Sequence, residues 1–146
     1  MVHHAEDEYL LHPGLFGSRP ARNSVDPIVL EELQLEYSRL GRRPLGKFSN
    51  DAKSCYDRIL ASIASLSSRH HGMSHAICLI MAHTLEEAEY RVKTFLKTTD
   101  GYKNTSTTPI YGTGQGSGCS PGIWLVICNN LFHSHQTQAK GARAQM

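Results

Sequence analysis

Alternating glycines just before an apolar helical run constrain the fold more than any other part of this sequence. Residues 110–124 read IYGTGQGSGCSPGIW, with glycine at every second position from 112 to 118. Because glycine has no Cβ and tolerates positive φ angles, such a loop allows the backbone to approach a ligand closely. Pro121 suits the first turn of a helix, and a helix N-terminus attracts anions. Neither the P-loop nor the dinucleotide fingerprint spacing is present. The segment is therefore either a ligand-binding loop or a plain connection between a strand and a helix.

A second segment, FSNDAKSCYDRI at residues 48–59, combines carboxylates with a predicted change from strand to helix. We predict a short strand over residues 42–51 that ends at Asp51, and a helix from Tyr56 to about His71. A carboxylate at a strand end, beside a turn with free N–H groups, can hold a divalent cation whose other ligands are phosphates. The alternative is an ordinary strand–turn–helix connection in which Asp51 caps the turn.

Helical periodicity recurs in three further stretches. It predicts helices from Asp26-Pro27 to Leu40, with Gly41 closing the helix, from Ser74 to about Glu89, and from Ser120-Pro121 to Leu131. The apolar faces that we expect to be buried comprise Val29, Leu33, Tyr37 and Leu40; Ile59, Ile63 and Leu66; and Ile77, Ile80, Met81, Leu85 and Ala88.

Between the last two helices, the alternation in residues 90–116 predicts a strand, a turn near Asp100-Gly101 and a second strand. Long helices with a few short strands predict an α+β fold. We divide the chain into an irregular N-terminal segment (residues 1–23), a main unit (residues 24–131) and a tail (residues 132–146) that we expect to be disordered.

Composition excludes several classes of protein. A net charge of +2 on 146 residues, 40% of them hydrophobic, excludes a histone-like basic protein and a largely disordered chain. The longest apolar runs fall well short of the roughly 20 residues that a bilayer span requires, and the polar N-terminus does not resemble a signal peptide. We therefore expect no membrane partner, and a location in the cytoplasm or nucleus.

The four cysteines and nine histidines lack the spacing of a structural zinc site. Each cysteine lies in or beside an apolar stretch, so we expect reduced thiols in the core. His70 and His71 directly precede Gly72, and we expect them to act as cations in the last turn of a helix.

Together, the two segments resemble the palm of reverse transcriptases (RNA-directed DNA polymerases), and most of all those of non-LTR retrotransposons. Asp51 matches the first catalytic aspartate of motif A. Tyr56 matches the aromatic steric gate that selects against a ribose 2′-hydroxyl, and Asp57 matches the aspartate that commonly follows it. In motif B, Gln115 and Gly116 match the pair that lines the pocket of the incoming nucleotide, and Ser120-Pro121 match the serine-proline that opens the next helix.

A third match lies upstream, in the motif known as 2a. LFGSRPARNSVDP, residues 15–27, resembles a segment of retroelement enzymes written roughly as Q-x-G-F-R-x-G-R-S-x-x-D. Here Ser18 occupies the aromatic position and Ala21 replaces a glycine. The three matches follow in the family's order over about 110 residues.

The resemblance implies a fold, partners and a mechanism. The fold would be a partial polymerase palm, with short antiparallel strands packed on helices, acting on an RNA template, a DNA primer and a dNTP. In this family two Mg²⁺ ions about 3.5–4 Å apart, held by palm carboxylates, carry nucleotidyl transfer. The roles implied for this chain are metal binding by Asp51, backbone contacts to the triphosphate from Ala52, Lys53, Ser54 and Cys55, sugar contact by Tyr56, nucleotide contact by Gln115 and Gly116, and nucleic-acid contact by Arg19 and Arg22.

The match is incomplete at one decisive place. The family's other two catalytic aspartates lie in an aromatic-x-Asp-Asp hairpin after motif B, and this sequence has no acidic residue after Asp100. We therefore expect a fragment truncated before the catalytic hairpin, inactive alone and dependent on the remainder of the polymerase chain. Two alternatives stay open: a non-catalytic palm remnant that binds nucleic acid, and a relic of a decayed retroelement.

Overall fold

The computed structural model describes residues 1–49, 51–114 and 116–138, and within these residues the fold is mainly helical. Its elements are α1 (Val2–Asp7), α2 (Val25–Leu40), the 3₁₀ helix η1 (Cys55–Arg58), α3 (Ala61–His70), α4 (His75–Glu87), β1 (Glu89–Tyr90), β2 (Tyr102–Lys103) and α5 (Ser120–Gln138). The two short strands pair antiparallel. Helices with one small antiparallel sheet are compatible with the α+β class at this coarse level.

Helix α5 is the centre of the packing. One core cluster joins Ala5, Leu11 and Leu15 of the N-terminal segment to Leu125 and Cys128 of α5. A second cluster joins Ile59 and Ala64 to Ile123, nearer the start of the same helix. The side chain of Trp124 packs against both clusters, so α5 links the N-terminal segment to the η1–α3 region.

The start of α2 differs from the prediction by one to two residues. The helix begins at Val25, and Asn23 caps it: its Oδ1 accepts from the Val25 and Asp26 N–H groups at 2.8 and 3.1 Å. Asp26 forms the reciprocal hydrogen bond: its Oδ2 accepts from the Asn23 N–H at 3.2 Å. This reciprocal arrangement is that of a capping box, so Asp26 stabilises the first turn from inside the helix. The predicted end at Gly41 is confirmed.

The buried stripe predicted for α2 is wrong. No residue of α2 is buried, and Leu33 and Leu40 are 60% and 80% exposed. The periodicity that predicts a helix is local, whereas burial requires a second element against the apolar face. Within the described residues, no helix packs closely on this face.

The strand predicted over residues 42–51 is absent from the described part of that stretch. Pro44 cannot donate a ladder hydrogen bond, and Gly46 weakens a strand further. Instead the segment folds back beside α2. The Arg43 guanidinium lies 5.5 Å from the Tyr37 ring centroid, and Lys47 forms an ion pair with Glu31.

The predicted hairpin exists, but its turn lies earlier than Asp100-Gly101. Strand pairing matches Tyr90 with Tyr102, and an isolated bridge joins Lys93 to Thr98. The turn is closed by Thr94, whose N–H and Oγ1 both donate to the Lys97 carbonyl, at 2.9 and 2.8 Å. A threonine hydroxyl that closes a turn carries a weaker sequence signal than Asp-Gly, which misdirected the prediction.

The helix predicted from Tyr56 is broken. The 3₁₀ helix η1 ends before Ile59, which is extended, and α3 starts at Ala61. On α3 the small residues Ala64, Ser67 and Ser68 are buried, whereas Ile63 and Leu66 of the predicted inner face are exposed.

Helix α4 begins as predicted, but only part of its predicted inner face is covered: Met81 packs against the cluster of Ile59, Ala64 and Ile123, and Leu85 and Ala88 are half-buried. The Ser74 hydroxyl caps it by accepting from the Ile77 N–H at 3.4 Å. Cys78 is buried, whereas Ile77 and Ile80, predicted to face inwards, are exposed.

Both ends of the described chain are more ordered than expected. Residues 1–23 contain α1 and contribute Leu11, Leu15 and Phe16 to the buried set. The tail expected to be disordered is helical up to Gln138, because α5 continues through residues 132–138. Residues 139–146 lie outside the described residues.

Candidate functional site

The two segments singled out by the sequence contact each other directly. The Gly112 N–H donates to the Ile59 carbonyl at 2.8 Å, and the Thr113 N–H donates to the Tyr56 carbonyl at 3.0 Å. Gly112 has φ +111°, and a Cβ at this position would lie 2.8 Å from both the Asp57 Cα and the Tyr56 carbonyl oxygen. Only glycine allows this approach without a backbone shift. Backbone hydrogen bonds thus hold the loop of alternating glycines, residues 112–118, against the η1 segment. We call it the glycine loop.

Ser120 fastens the same loop to α5. It is 1% exposed, and its hydroxyl lies 3.0 Å from the Thr113 carbonyl oxygen and 2.9 Å from that of Gly114. As a hydroxyl has one hydrogen, it donates to both carbonyls as a three-centre bond. The predicted start of α5 at Ser120 is confirmed. The Ser120 side chain holds the loop that precedes the helix.

Tyr56 lies partly buried between the loop and α5. Its ring meets Trp124 edge to face, with centroids 6.4 Å apart and an interplanar angle of 78°. It also packs against the cluster of Ile59, Ala64 and Ile123. Such contacts restrict the ring orientation while part of the side chain stays accessible.

The residues from Asp51 to Ser54 form an exposed turn rather than a strand end. Ser54 has φ +51°, and its carbonyl accepts from the Asp57 N–H at 3.0 Å. Ala52 and Lys53 are exposed, and Cys55 is half-buried at the start of η1. Within the described residues, no group of three or more His, Cys, Asp or Glu side chains could hold a metal ion. Asp51 and its described neighbours therefore do not fit a two-metal centre by themselves.

The outer half of the glycine loop is open. Gly116 has φ +87°, and a Cβ there or on Gly118 would meet no heavy atom within 4 Å. Gln115, predicted to contact the nucleotide, lies outside the described residues. The inner half holds Thr113, which is 4% exposed and whose Oγ1 has no hydrogen-bond partner within the described chain. The loop thus has an anchored inner half and an accessible outer half.

The two arginines predicted to contact nucleic acid have different environments. The Arg19 side chain is 7% exposed and forms an ion pair with Glu6 at 2.7 Å. Its Nη1 also donates to the carbonyls of His12 and Leu15, both at 3.0 Å. A contact between Arg19 and a phosphate would require these bonds to break. Arg22 is exposed, with its guanidinium 5.6 Å from the centroid of the Phe16 ring.

The sequence patterns did not predict a buried polar network farther along α5. Asn129 lies in the apolar run of α5, 2% exposed, and bonds to the His12 N–H, to the Leu10 carbonyl and to the His71 ring. A polar Asn129-Asn130 pair inside an otherwise apolar helix face is the signal that could have indicated it.

The expectation that His71 acts as a helix-end cation is wrong. The residue is 1% exposed, and burial lowers the pKa of its imidazole from the ordinary 6.5. Burial likewise lowers the pKa of His12, and the nearby His133 adds to that effect.

The cysteines fit the predicted core role only in part. Cys78 and Cys128 are buried, and burial raises the pKa of the Cys128 thiol to about 12. Cys119, however, is exposed in the glycine loop. A separate observation concerns membranes: no helix of the described residues is long and apolar enough to span one.

Three comparisons with known proteins found no match to this chain: neither a protein-family model, nor a curated protein, nor a solved structure matches it. The resemblance to reverse transcriptases therefore rests on the three sequence motifs.

Proposed function

We propose that this chain is a fragment of a retroelement reverse transcriptase, and that it contributes the part of the palm facing the incoming nucleotide. The observation that carries the proposal is the hydrogen bond from the Thr113 N–H to the Tyr56 carbonyl. These residues belong to the two segments that resemble motifs A and B. Segments that line one nucleotide pocket must lie close together, and this bond is consistent with that requirement.

The environment of Tyr56 supports the same proposal. A steric gate must keep its ring in one orientation, since selection against a 2′-hydroxyl depends on a direct clash between that hydroxyl and the ring. The edge-to-face contact with Trp124 restrains this ring from one side. We propose that the accessible part of the Tyr56 ring faces the sugar of the nucleotide.

The metal chemistry is proposed only for a complete polymerase. The described residues contain no group of three metal-ligating side chains, and the sequence has no carboxylate side chain after Asp100. In the proposed parent protein, Asp51 would bind Mg²⁺ together with carboxylates supplied by the remainder of the polymerase chain, and RNA template, DNA primer and dNTP would be the partners. For the 146-residue chain alone we propose no metal-dependent step.

A segment exchange tests this proposal. In an active retrotransposon reverse transcriptase, the segments matching residues 48–59 and 110–121 are replaced by those of this chain, and dNTP and rNTP incorporation are measured on a primer–template. We expect the exchange to retain dNTP incorporation, and an added Tyr56→Ala to raise rNTP use relative to a Tyr56→Phe control. A folded exchange variant that binds primer–template but incorporates no dNTP would contradict the proposal.

A further inference from the structure

Asn129 of α5 connects the N-terminal segment (residues 1–23) to the end of α3 through hydrogen bonds. Its Oδ1 accepts from the His12 N–H at 2.6 Å, and its Nδ2 donates to the Leu10 carbonyl at 2.9 Å. The same Nδ2 lies 2.8 Å from Nε2 of His71. Both amide hydrogens and the carbonyl oxygen of Asn129 are therefore engaged.

These bonds require a neutral His71. Its Nδ1 lies 2.8 Å from the Ser67 carbonyl oxygen, which can only accept, so Nδ1 carries the proton. Its Nε2 must then accept from Asn129. A second proton on Nε2 would place two donors 2.8 Å apart at a residue that is 1% exposed.

Rotation of the Asn129 amide does not resolve that conflict. A flipped amide would offer its oxygen to a protonated His71, but it would then face the His12 N–H with a donor and the Leu10 carbonyl with an acceptor. Both bonds to the N-terminal segment would be lost. Protonation of His71 would therefore break two hydrogen bonds that hold a different part of the chain.

His12 contributes a second contact of the same kind. Its Nδ1 accepts from the Gly14 N–H at 3.0 Å, so a proton on Nδ1 would again set donor against donor. The His133 ring of α5 lies with its centroid 5.4 Å from that of His12. At this distance His133 disfavours a positive charge on His12.

Titratable and polar groups of α1, α3 and α5 lie near the His71 and His12 rings. His71 faces His70 of α3 and His133 of α5, and the His4 ring of α1 lies against Gly72, where a Cβ would be 2.5 Å from it. Beside His12 are His133 and Gln136 of α5. The Arg19 guanidinium donates to the His12 carbonyl.

We propose that the histidine–asparagine network is an acid-sensitive latch: protonation of His71 and His12 releases the N-terminal segment from α5 and leaves the glycine loop bound to η1. The released surface would be apolar, because Leu11 and Leu15 pack against Leu125. The contacts that hold the loop involve backbone groups and the Ser120 hydroxyl, which do not titrate in this range.

The direction of the pH dependence follows from linkage. Burial lowers the pKa of both histidines below 6.5, so near pH 7 both are neutral. Below pH 6.5 the released state binds more protons than the latched state, so the latch loses stability as the pH falls towards the lowered pKa values. Above pH 6.5 its full stability is present.

Hydrogen exchange of the full chain at pH 7.5 and pH 5.0, corrected for intrinsic rates, tests the latch. We expect amides of residues 10–15 to lose protection by about tenfold or more at pH 5.0, in keeping with the loss of buried hydrogen bonds. The Gly112 and Thr113 amides should keep their protection. Equal loss in both regions, or no loss in residues 10–15, would overturn the proposal.

A matched pair of variants tests the role of Asn129. In Asn129→Asp a carboxylate would accept from a protonated His71, so the His71 pKa, followed by NMR of the ring nitrogens, should rise above that of the wild type. Asn130→Asp is the control, since Asn130 bonds to the Ser67 hydroxyl and not to His71. An unchanged His71 pKa in Asn129→Asp would overturn the latch.

A second variant keeps the test open if Asn129→Asp does not fold. His71→Gln removes the proton-binding ring and keeps both a donor and an acceptor. Its residues 10–15 should lose less protection at pH 5.0 than those of the wild type. A loss equal to that of the wild type would show that His71 is not the sensor, and would overturn the proposal.

Discussion

The N–H of Gly112 donates to the carbonyl of Ile59 across 2.8 Å, and this bond ties the glycine loop to the segment that carries Tyr56. Gly112 can make it because its φ of +111° and its missing Cβ allow backbone to meet backbone. The proposed nucleotide pocket depends on this approach. A substitution of Gly112 that prevents this close contact should therefore separate the two segments without altering any residue proposed to contact the nucleotide.

Gly112→Ala should destabilise the chain by at least ~2 kcal/mol, because a positive φ is unfavourable for alanine and the new Cβ would meet η1 backbone. Gly118→Ala is the matched control: no atom lies within 4 Å of its Cβ position. Urea unfolding followed by Trp124 fluorescence measures both. Equal effects of the two substitutions would show that the loop is not fastened at Gly112.

Ser120→Ala should cost about 1–3 kcal/mol, because it leaves the buried carbonyl of Thr113 and the half-buried carbonyl of Gly114 without their donor. Ser117→Ala, in the exposed part of the loop, should cost less than 1 kcal/mol. The same unfolding assay compares them. A neutral Ser120→Ala would mean that α5 does not hold the loop through this hydroxyl.

Arg19→Ala should destabilise the chain by about 2–4 kcal/mol, since it leaves Glu6 and two backbone carbonyls without their partner. Arg22→Ala should cost under 1 kcal/mol, because Arg22 is exposed. If either arginine meets nucleic acid, Arg22→Ala is expected to weaken the salt-dependent binding of a primer–template. A reversed order of the two stability effects would contradict the environments described above.

The exposed face of α2 should make the chain self-associate. Leu33 is 60% exposed amid other apolar side chains, and apolar patches of this kind promote association. Leu33→Lys should shift the chain towards monomer in analytical ultracentrifugation with less than about 0.5 kcal/mol change in stability. Ser38→Lys, off the apolar stripe, is the control. A wild type that is monomeric at all concentrations would contradict this prediction.

Structural features that depend on neighbouring residues were predicted well from the sequence, and features that depend on contacts between distant residues were predicted poorly. The Ser74 cap, the end of α2 at Gly41 and the start of α5 at Ser120 follow from side chains acting within a few residues, and all three are confirmed. The burial of α2 depends on what packs against it. The strand before Asp51 failed because Pro44 and Gly46 oppose a ladder that has no partner strand in the described chain.

The candidate site likewise combines features that depend on neighbouring residues with features that depend on distant ones. The start of α5 at Ser120 followed from the local sequence, whereas the proposed role of the glycine loop stays a prediction. The contact between Gly112 and η1 could not be predicted, since it joins distant parts of the chain. The His71–Asn129 bond was invisible for the same reason: a buried neutral histidine and an exposed cation look alike in sequence.

The proposal that this chain is part of a reverse transcriptase palm can be tested on the nucleotide sequence downstream of the Met146 codon. We predict that this DNA, in the same frame or after a frameshift, encodes an aromatic-x-Asp-Asp segment flanked by strand-forming residues. Such a segment would supply the two carboxylates that have no counterpart after Asp100. Downstream DNA that encodes no such segment in any forward frame would show that the chain is not part of such a palm.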